Sequence, residues 1–318
     1  MTVSRQSLKS SMLPVAFIGG VVLYKWMGYV TFLSPYFIFA MLFITYCKLE
    51  IKDFSFGKFH FFLLGVQMAL SALTYFVLLP AGHTVAEGVF ICVFIPTATA
   101  APVITSMLGG SISRVASYSL LCNVFVSLAG PVVLAAVGDH AEYSFLTSLG
   151  LIASKVFPLL IAPIICAFII SRCSPRVHKV MADNQSLSFY LWAISLFIIV
   201  GSCVSFVINH WNPDETNVMA MLAVGALAVC LLQFKLGRLV GRKFNDAVSG
   251  GQSLGQKNTV LAVWLALAYM NPIASVGPAA YIAWQNIINS WQLIKAKKED
   301  GHKTCVPSSI GSSSERPT

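Results

Sequence analysis

The sequence predicts an all-α membrane protein of ten transmembrane helices, arranged as two five-helix repeats of opposite orientation with one broken helix in each. Three observations carry this. Hydrophobic residues make up 57% of the 318 and charged residues only 10%, with a mean hydropathy of +0.76, too little polar surface for a soluble globule of this size. The apolar residues come in continuous runs rather than in period-2 alternation. Since backbone groups in lipid need internal partners, such runs select helices over a closed barrel. Finally, two of the runs are interrupted by polar, glycine-rich or proline-rich segments at corresponding places in the two halves.

Crossing the hydrocarbon takes about 20 helical residues. In chain order the spans are 12–28, 30–47, 58–80, 85–109, 113–137, 145–171, 187–209, 216–237, 247–270 and 273–294. The basic start ahead of the first run imitates a signal peptide, but no small-x-small cleavage pattern precedes the second run, so it reads as the first helix. Positive charge gathers at the termini and in the even-numbered connections, through Lys48, Lys52, Arg114, Arg172, Arg176, Lys179, Arg238, Arg242 and Lys295. The odd-numbered connections carry Glu87, Asp139, Glu142, Asp214 and Glu215, with Lys25 as the exception. The positive-inside rule then places both termini in the cytoplasm, which requires an even number of spans. That distribution also turns the net charge of +9 toward the lipid bilayer and away from nucleic acid. The expected organisation is a cytoplasmic N-terminus over 1–11, a first repeat over 12–137, a second over 145–296 and a disordered cytoplasmic tail over 297–318. Eight cysteines stand singly, without C-x-x-C spacing, and read as small core residues.

The breaks hold the chemistry. Residues 95–103 (IPTATAAPV) place two prolines and two threonines inside the fourth span, and residues 249–258 (SGGQSLGQKN) place three glycines and a lysine inside the ninth. A broken helix frees N–H and C=O groups, which is tolerated only beside protein or a water-filled cavity, and paired broken helices mark the binding sites of secondary transporters. Thr97 and Thr99 are expected to cap the downstream half-helix of the first break, and Asn258 to open that of the second, each end offering positive potential to an anion. Lys257 is a lone ammonium at the second break with no carboxylate expected inside a span, at a cost on the order of 3 kcal/mol at mid-bilayer. A residue so costly points to function.

At these segments the chain resembles the bile acid:sodium symporter family, in particular its bacterial members. The likeness is carried by IPTATAAPV, by GGSISRVASYSLLCNVFVSLAGP (109–131), by GQKNTVLAVWLALA (255–268) and by AAYIAWQNIINS (279–290), and it extends over about 12–296. It implies ten helices divided into a core and a panel domain, with the two broken helices crossing in the core. It further implies an organic anion carried by alternating access, a substrate crevice between the domains, and residence in the bacterial inner membrane. Asn258, Gln285 and Asn286 match substrate positions of the family, and Gln67 and Ser253 its ion-site positions. Thr97 and Thr99 join the substrate candidates as capping hydroxyls at the first break; Ser119 and Asn123, expected to face that break, and Gln256, a donor at the second, join the ion-site candidates.

The departures bear on coupling. Where the family reads P-G-G-T-A-S-N and its Ser and Asn help hold sodium, this chain has Ala101 and Pro102; where it reads E-x-G-x-Q-N and its Glu and Gln hold sodium, this chain has Ser253 and Lys257. Two like charges at 4 Å repel by about 4 kcal/mol at an effective dielectric of 20, enough to cut cation occupancy roughly a thousandfold. Lys257 is therefore expected to replace the sodium charge, leaving transport uncoupled or proton-coupled through the lysine. The alternatives are a sodium symporter with rearranged ion sites and, from other classes, an integral membrane enzyme or a channel; D-D-x-x-D, G-x-G-D and H-E-x-x-H do not occur. No cofactor is implied, and the choice between sodium and the proton stays open.

Overall fold

The computed structural model describes residues 15–16, 18–48, 55–98, 101–138, 145–209 and 213–304. Among them there is no strand, only one isolated antiparallel bridge between helices. Short α1 (Tyr24–Val30) joins α2 (Ser34–Lys48) through the 3-10 turn Thr31–Leu33. Then come α3 (Lys58–Leu78), α4 (His83–Phe94), α5 (Ala101–Met107), α6 (Ile112–Val137) and α7 (Phe145–Cys173). The chain continues through α8 (Pro175–Asp183), α9 (Gln185–Asn209), α10 (Thr216–Lys243), α11 (Ala247–Gly255), α12 (Thr259–Tyr269) and α13 (Val276–Thr304). Helix α13 runs past 297, where the sequence anticipates a disordered tail, while the N-terminal segment 1–11 lies outside the described residues.

Four stretches are long and apolar enough to cross a membrane: Tyr24–Cys47, Lys58–Ala81, Ile112–Val137 and Pro213–Lys243; His83–Phe94, Phe157–Cys173, Ala193–Ser205 and Thr259–Tyr269 are shorter apolar helices. The distribution of polarity agrees. Phe32, Phe62, Phe76, Leu128, Leu146 and Val224 face outward, whereas Gln67, Asn123, Gln252, Gln256 and Lys257 are buried. An apolar exterior around a core that holds buried amides and a lysine suits lipid as the solvent. This is a helical membrane protein.

The helices pack in two neighbourhoods. Helix α2 lies against α7, α8 and α9, with α1 on α9; α4 lies against α3, α10 and α13, and α10 against α11 and α13. Helices α6 and α7 form the broad contact between them. Closest of all is α10 on α11, where a Cβ at Gly237 would meet the Gly250 carbonyl oxygen at 2.2 Å and one at Gly241 the Asp246 carbonyl oxygen at 2.3 Å. Only glycine lets the two backbones approach so nearly. Asn245 takes the left-handed conformation (φ 56°) at the turn between these helices.

One placement corrects the sequence. Glu87, expected in a connection, lies within α4 and is 0% exposed. Its Oε2 accepts the Asn271 N–H at 3.3 Å and its Oε1 stands 3.5 Å from His83 Nδ1. An acid is therefore buried after all, though six residues of helix, about 9 Å, separate it from Val93, where Lys257 docks.

Candidate functional site

The two broken helices meet at their breaks. Thr97 and Lys257 form the antiparallel bridge, the Ala98 N–H donates to the Gln256 carbonyl at 3.1 Å, and the Asn258 N–H donates to the Pro96 carbonyl at 2.9 Å. Each contact has a counterpart with the partners exchanged. The Thr97 hydroxyl donates to the Ser253 carbonyl at 2.7 Å, and Lys257 Nζ donates to the Val93 carbonyl at 2.9 Å. Positions 93 and 253, 96 and 256, 97 and 257, and 98 and 258 are all 160 apart. The exchange extends to neighbouring helices: Gln67 on α3 accepts from the Tyr118 hydroxyl of α6 (2.6 Å), while Gln233 on α10 donates to the Tyr281 hydroxyl of α13 (3.0 Å).

Why the chain breaks here follows from its carbonyls. The last four C=O groups of any helix lack intrahelical partners, and burying them unpaired costs about 1–3 kcal/mol each. At the end of α4 the Cys92 carbonyl would have received the N–H of residue 96, but that residue is proline; Gln233 Nε2 takes its place at 3.3 Å. The Val93 carbonyl accepts from Lys257 (2.9 Å), that of Phe94 from Gln67 Nε2 (2.9 Å), and that of Ile95 from both Gln67 (3.1 Å) and Lys257 (3.2 Å). Lys257 is 1% exposed, so its ammonium sits at the negative end of a helix, surrounded by oxygens and closed to the outside.

The remaining sequence-predicted residues divide. Gln285 is buried and satisfies the break, accepting the Lys257 N–H at 2.9 Å and donating to the Thr259 hydroxyl at 3.4 Å. Asn258 caps α12, its Oδ1 accepting the Leu261 N–H at 3.3 Å, as the sequence anticipates for a half-helix start. The Ser119 hydroxyl reaches the Thr97 carbonyl at 3.4 Å, and Asn123 Nδ2 the Ser119 carbonyl at 2.7 Å. Among the described residues Asn123 Oδ1, Ser253 Oγ and Asn258 Nδ2 are buried polar atoms without a hydrogen-bond partner.

One expectation changes, and the partners of two further candidates are defined. Thr97 does not cap a downstream helix: its hydroxyl is spent on Ser253, because α5 begins only at Ala101, whose N–H reaches the Ala98 carbonyl at 3.1 Å. Gln256 turns away from the crossing, donating to Gln252 Oε1 at 2.5 Å. Half-buried Asn286 turns its amide onto the Ile282 carbonyl of its own helix (2.6 Å). Thr99 lies outside the described residues.

Sequence reasoning missed Gln233, Tyr118 and Tyr281. Gln233 answers to the same signal as Gln67, a lone amide in an apolar span, and could have been found by it. The tyrosines look like any interior aromatic until a buried hydroxyl is asked for its partner.

A cavity of about 450 Å³ opens between α6 and α7, walled by Leu128, Val132, Leu149, Phe157 and the two prolines Pro131 and Pro158. Ser127 and Ser154, each four residues before one of those prolines, also line it. Ser127 is one turn beyond Asn123 on α6. No group of three or more His, Cys, Asp or Glu side chains among the described residues is placed to hold a metal ion. Comparison of the chain with protein-family models gives no match, and comparison with curated proteins gives none either.

Proposed function

We propose that this protein is a secondary carrier that moves a small or amphipathic organic anion across a membrane by alternating access, with the Lys257 ammonium standing in for a coupling cation. The observation that carries the reading is the docking of Lys257 Nζ on the Val93 and Ile95 carbonyls at the end of α4. Half-helix C-termini and unwound carbonyls are the groups that hold coupling cations in transporters with broken helices. Here a tethered amine occupies them.

The finer architecture belongs to the same proposal: ten spans in two inverted repeats, the helices around α2 forming a panel and those around α4 and α10 a core. The exchanged contacts 160 positions apart support it, since duplicated units facing opposite ways would cross about a local two-fold axis. The cavity between α6 and α7 lies where those domains would meet. Its apolar walls suit the body of an amphipathic ligand, and Ser127 and Ser154 in its lining suit hydroxyl groups on that body. The capped start of α12 supplies positive potential for the carboxylate or sulfonate. Inner-membrane residence with cytoplasmic termini follows from the charge pattern and the family resemblance.

Sodium fits poorly at the carbonyl cluster, because Gln67 turns its amide N–H groups, not its oxygen, toward Phe94 and Ile95. A second reading, sodium coupling through a rearranged site, is favoured by the unpartnered Asn123 Oδ1 and Ser253 Oγ, oxygens of the kind sodium takes.

The test is uptake of labelled carboxylates and sulfonates into proteoliposomes under imposed sodium or proton gradients, comparing native protein with Lys257→Gln. Saturable uptake indifferent to sodium and abolished in the variant is expected. Sodium-dependent uptake would select the second reading, non-saturable flux a channel, and chemical conversion of the solute an enzyme.

A further inference from the structure

We infer that the chain carries a separate site for a phosphate-type oxyanion, in a cavity of about 210 Å³ framed by the end of α10, the start of α11 and the last turns of α13. Arg238 and Arg242 of α10, Lys295 and Gln292 of α13, and Ala247 and Val248 at the start of α11 line it. Among the described residues no acidic side chain does. Asp246, which caps α11, is already engaged: its Oδ1 accepts the Ser249 N–H at 3.0 Å and its Oδ2 stands 3.5 Å from the Arg114 guanidinium.

Four independent features converge on an anion. Helix α11 is nine residues long, and the N–H groups of Ala247 and Val248 have no partner among the described residues, so its positive end opens on the cavity. Arg238 and Arg242 are one turn apart on one helix, where like charges repel unless a counter-charge lies between them. Arg238 is also held in place, since it lies along α11 so closely that a Cβ at Gly251 would meet its Cγ at 2.7 Å and its Nε at 3.2 Å. Gln292 is only 5% exposed; its Oε1 accepts from Gln252 Nε2 at 2.9 Å, which leaves its own N–H donors, unpartnered among the described residues, for whatever fills the cavity.

Guanidinium forks, an amide and two backbone N–H groups make a set rich in donors, with a lysine ammonium in the same lining. Such a set matches the several oxygens of a phosphate group. The phosphate could belong to a soluble ion or to the headgroup of an anionic lipid. Trp291, 58% exposed beside the cavity with Lys295 Nζ 5.7 Å from its ring centroid, places the site where aromatic residues meet headgroups.

The test uses the full chain in nanodiscs, native and as Arg242→Gln, Arg238→Gln/Arg242→Gln and the control Lys235→Gln, an exposed residue of the same helix outside the cavity. One arm titrates inorganic phosphate calorimetrically in neutral phosphatidylcholine discs. The other measures phosphatidylglycerol retention by native mass spectrometry from mixed discs in phosphate-free buffer. Binding weakened at least about tenfold by Arg242→Gln, lost in the double variant and kept in the control supports the site. Success in the first arm identifies a soluble phosphate, and success in the second alone a lipid headgroup. Arg242→Gln is exposed and leaves the α10–α11 contact intact, so its behaviour is not a matter of folding. No phosphate binding together with equal lipid retention by all four proteins would overturn the site.

Discussion

The two breaks exchange matching backbone contacts but recruit different donors, and one residue explains the difference. At position 256 the chain keeps an N–H, which reaches the Gln252 carbonyl at 3.1 Å and finishes α11 in the ordinary way. At position 96 it has Pro96, so the end of α4 holds one more carbonyl without a helical donor. The break with the richer supply of free oxygens receives Lys257, Gln67 and Gln233; the other is satisfied by hydroxyls, Thr97 on Ser253 (2.7 Å) and Tyr281 on Gly255 (2.8 Å). Charge is thus placed where the local backbone field is most negative, and an otherwise symmetric crossing gains a polarity.

The largest effect expected is from Lys257→Val. It leaves the Val93 carbonyl buried without a donor and weakens the support of Ile95, for a loss of roughly 3 kcal/mol, measured by unfolding in mixed micelles. Lys257→Thr sharpens the comparison. By the exchange of partners, a hydroxyl at 257 reaches Val93 as Thr97 reaches Ser253, and recovers about 1 kcal/mol of that loss. Equal stability of the Val and Thr variants would contradict the two-fold relation. Transport under this account fails in both, because neither carries a charge.

Next comes Gln67→Leu, which removes the donor to Phe94 and one of two donors to Ile95, and deprives the Tyr118 hydroxyl of its acceptor. About 2 kcal/mol is expected. Thr97→Val, at the hydroxyl-served break, should cost about 1 kcal/mol, since it orphans one carbonyl and removes one neutral donor. A cost for Thr97→Val equal to that for Lys257→Val would erase the claimed asymmetry.

Much of this crossing is legible in the sequence. Proline and glycine inside apolar runs announce both breaks, and a lysine that no surface can claim announces the cation. What hydropathy lacks is rotation about each helix axis. Glu87 stands a turn from a span end, where a sequence reads it as wet; only the facing of α4 shows it turned inward onto the Asn271 N–H. Gln256 is adjacent to Lys257, yet a change of backbone direction at Gln256 (ψ 112°) sends its amide into the Gln252–Gln292 chain. Gln233 hides for another reason: its role depends on an N–H that Pro96 lacks, in a helix 137 positions away, and nothing near it in sequence records that debt.

That dependence gives the subtlest test. Gln233→Leu alone should cost about 1 kcal/mol, because the Cys92 carbonyl loses its only donor among the described residues and the Tyr281 hydroxyl loses a partner. Pro96→Ala restores an N–H at position 96. By the geometry of its counterpart, where Gln256 N–H reaches Gln252, that N–H reaches Cys92. In the Pro96→Ala background the glutamine is then partly redundant, and Gln233→Leu should cost less by about 0.5 kcal/mol or more, read from a double-mutant cycle on unfolding free energies. Strict additivity would mean that Gln233 serves Tyr281 alone, and the explanation of why one break recruits extra donors would have to be sought outside Pro96.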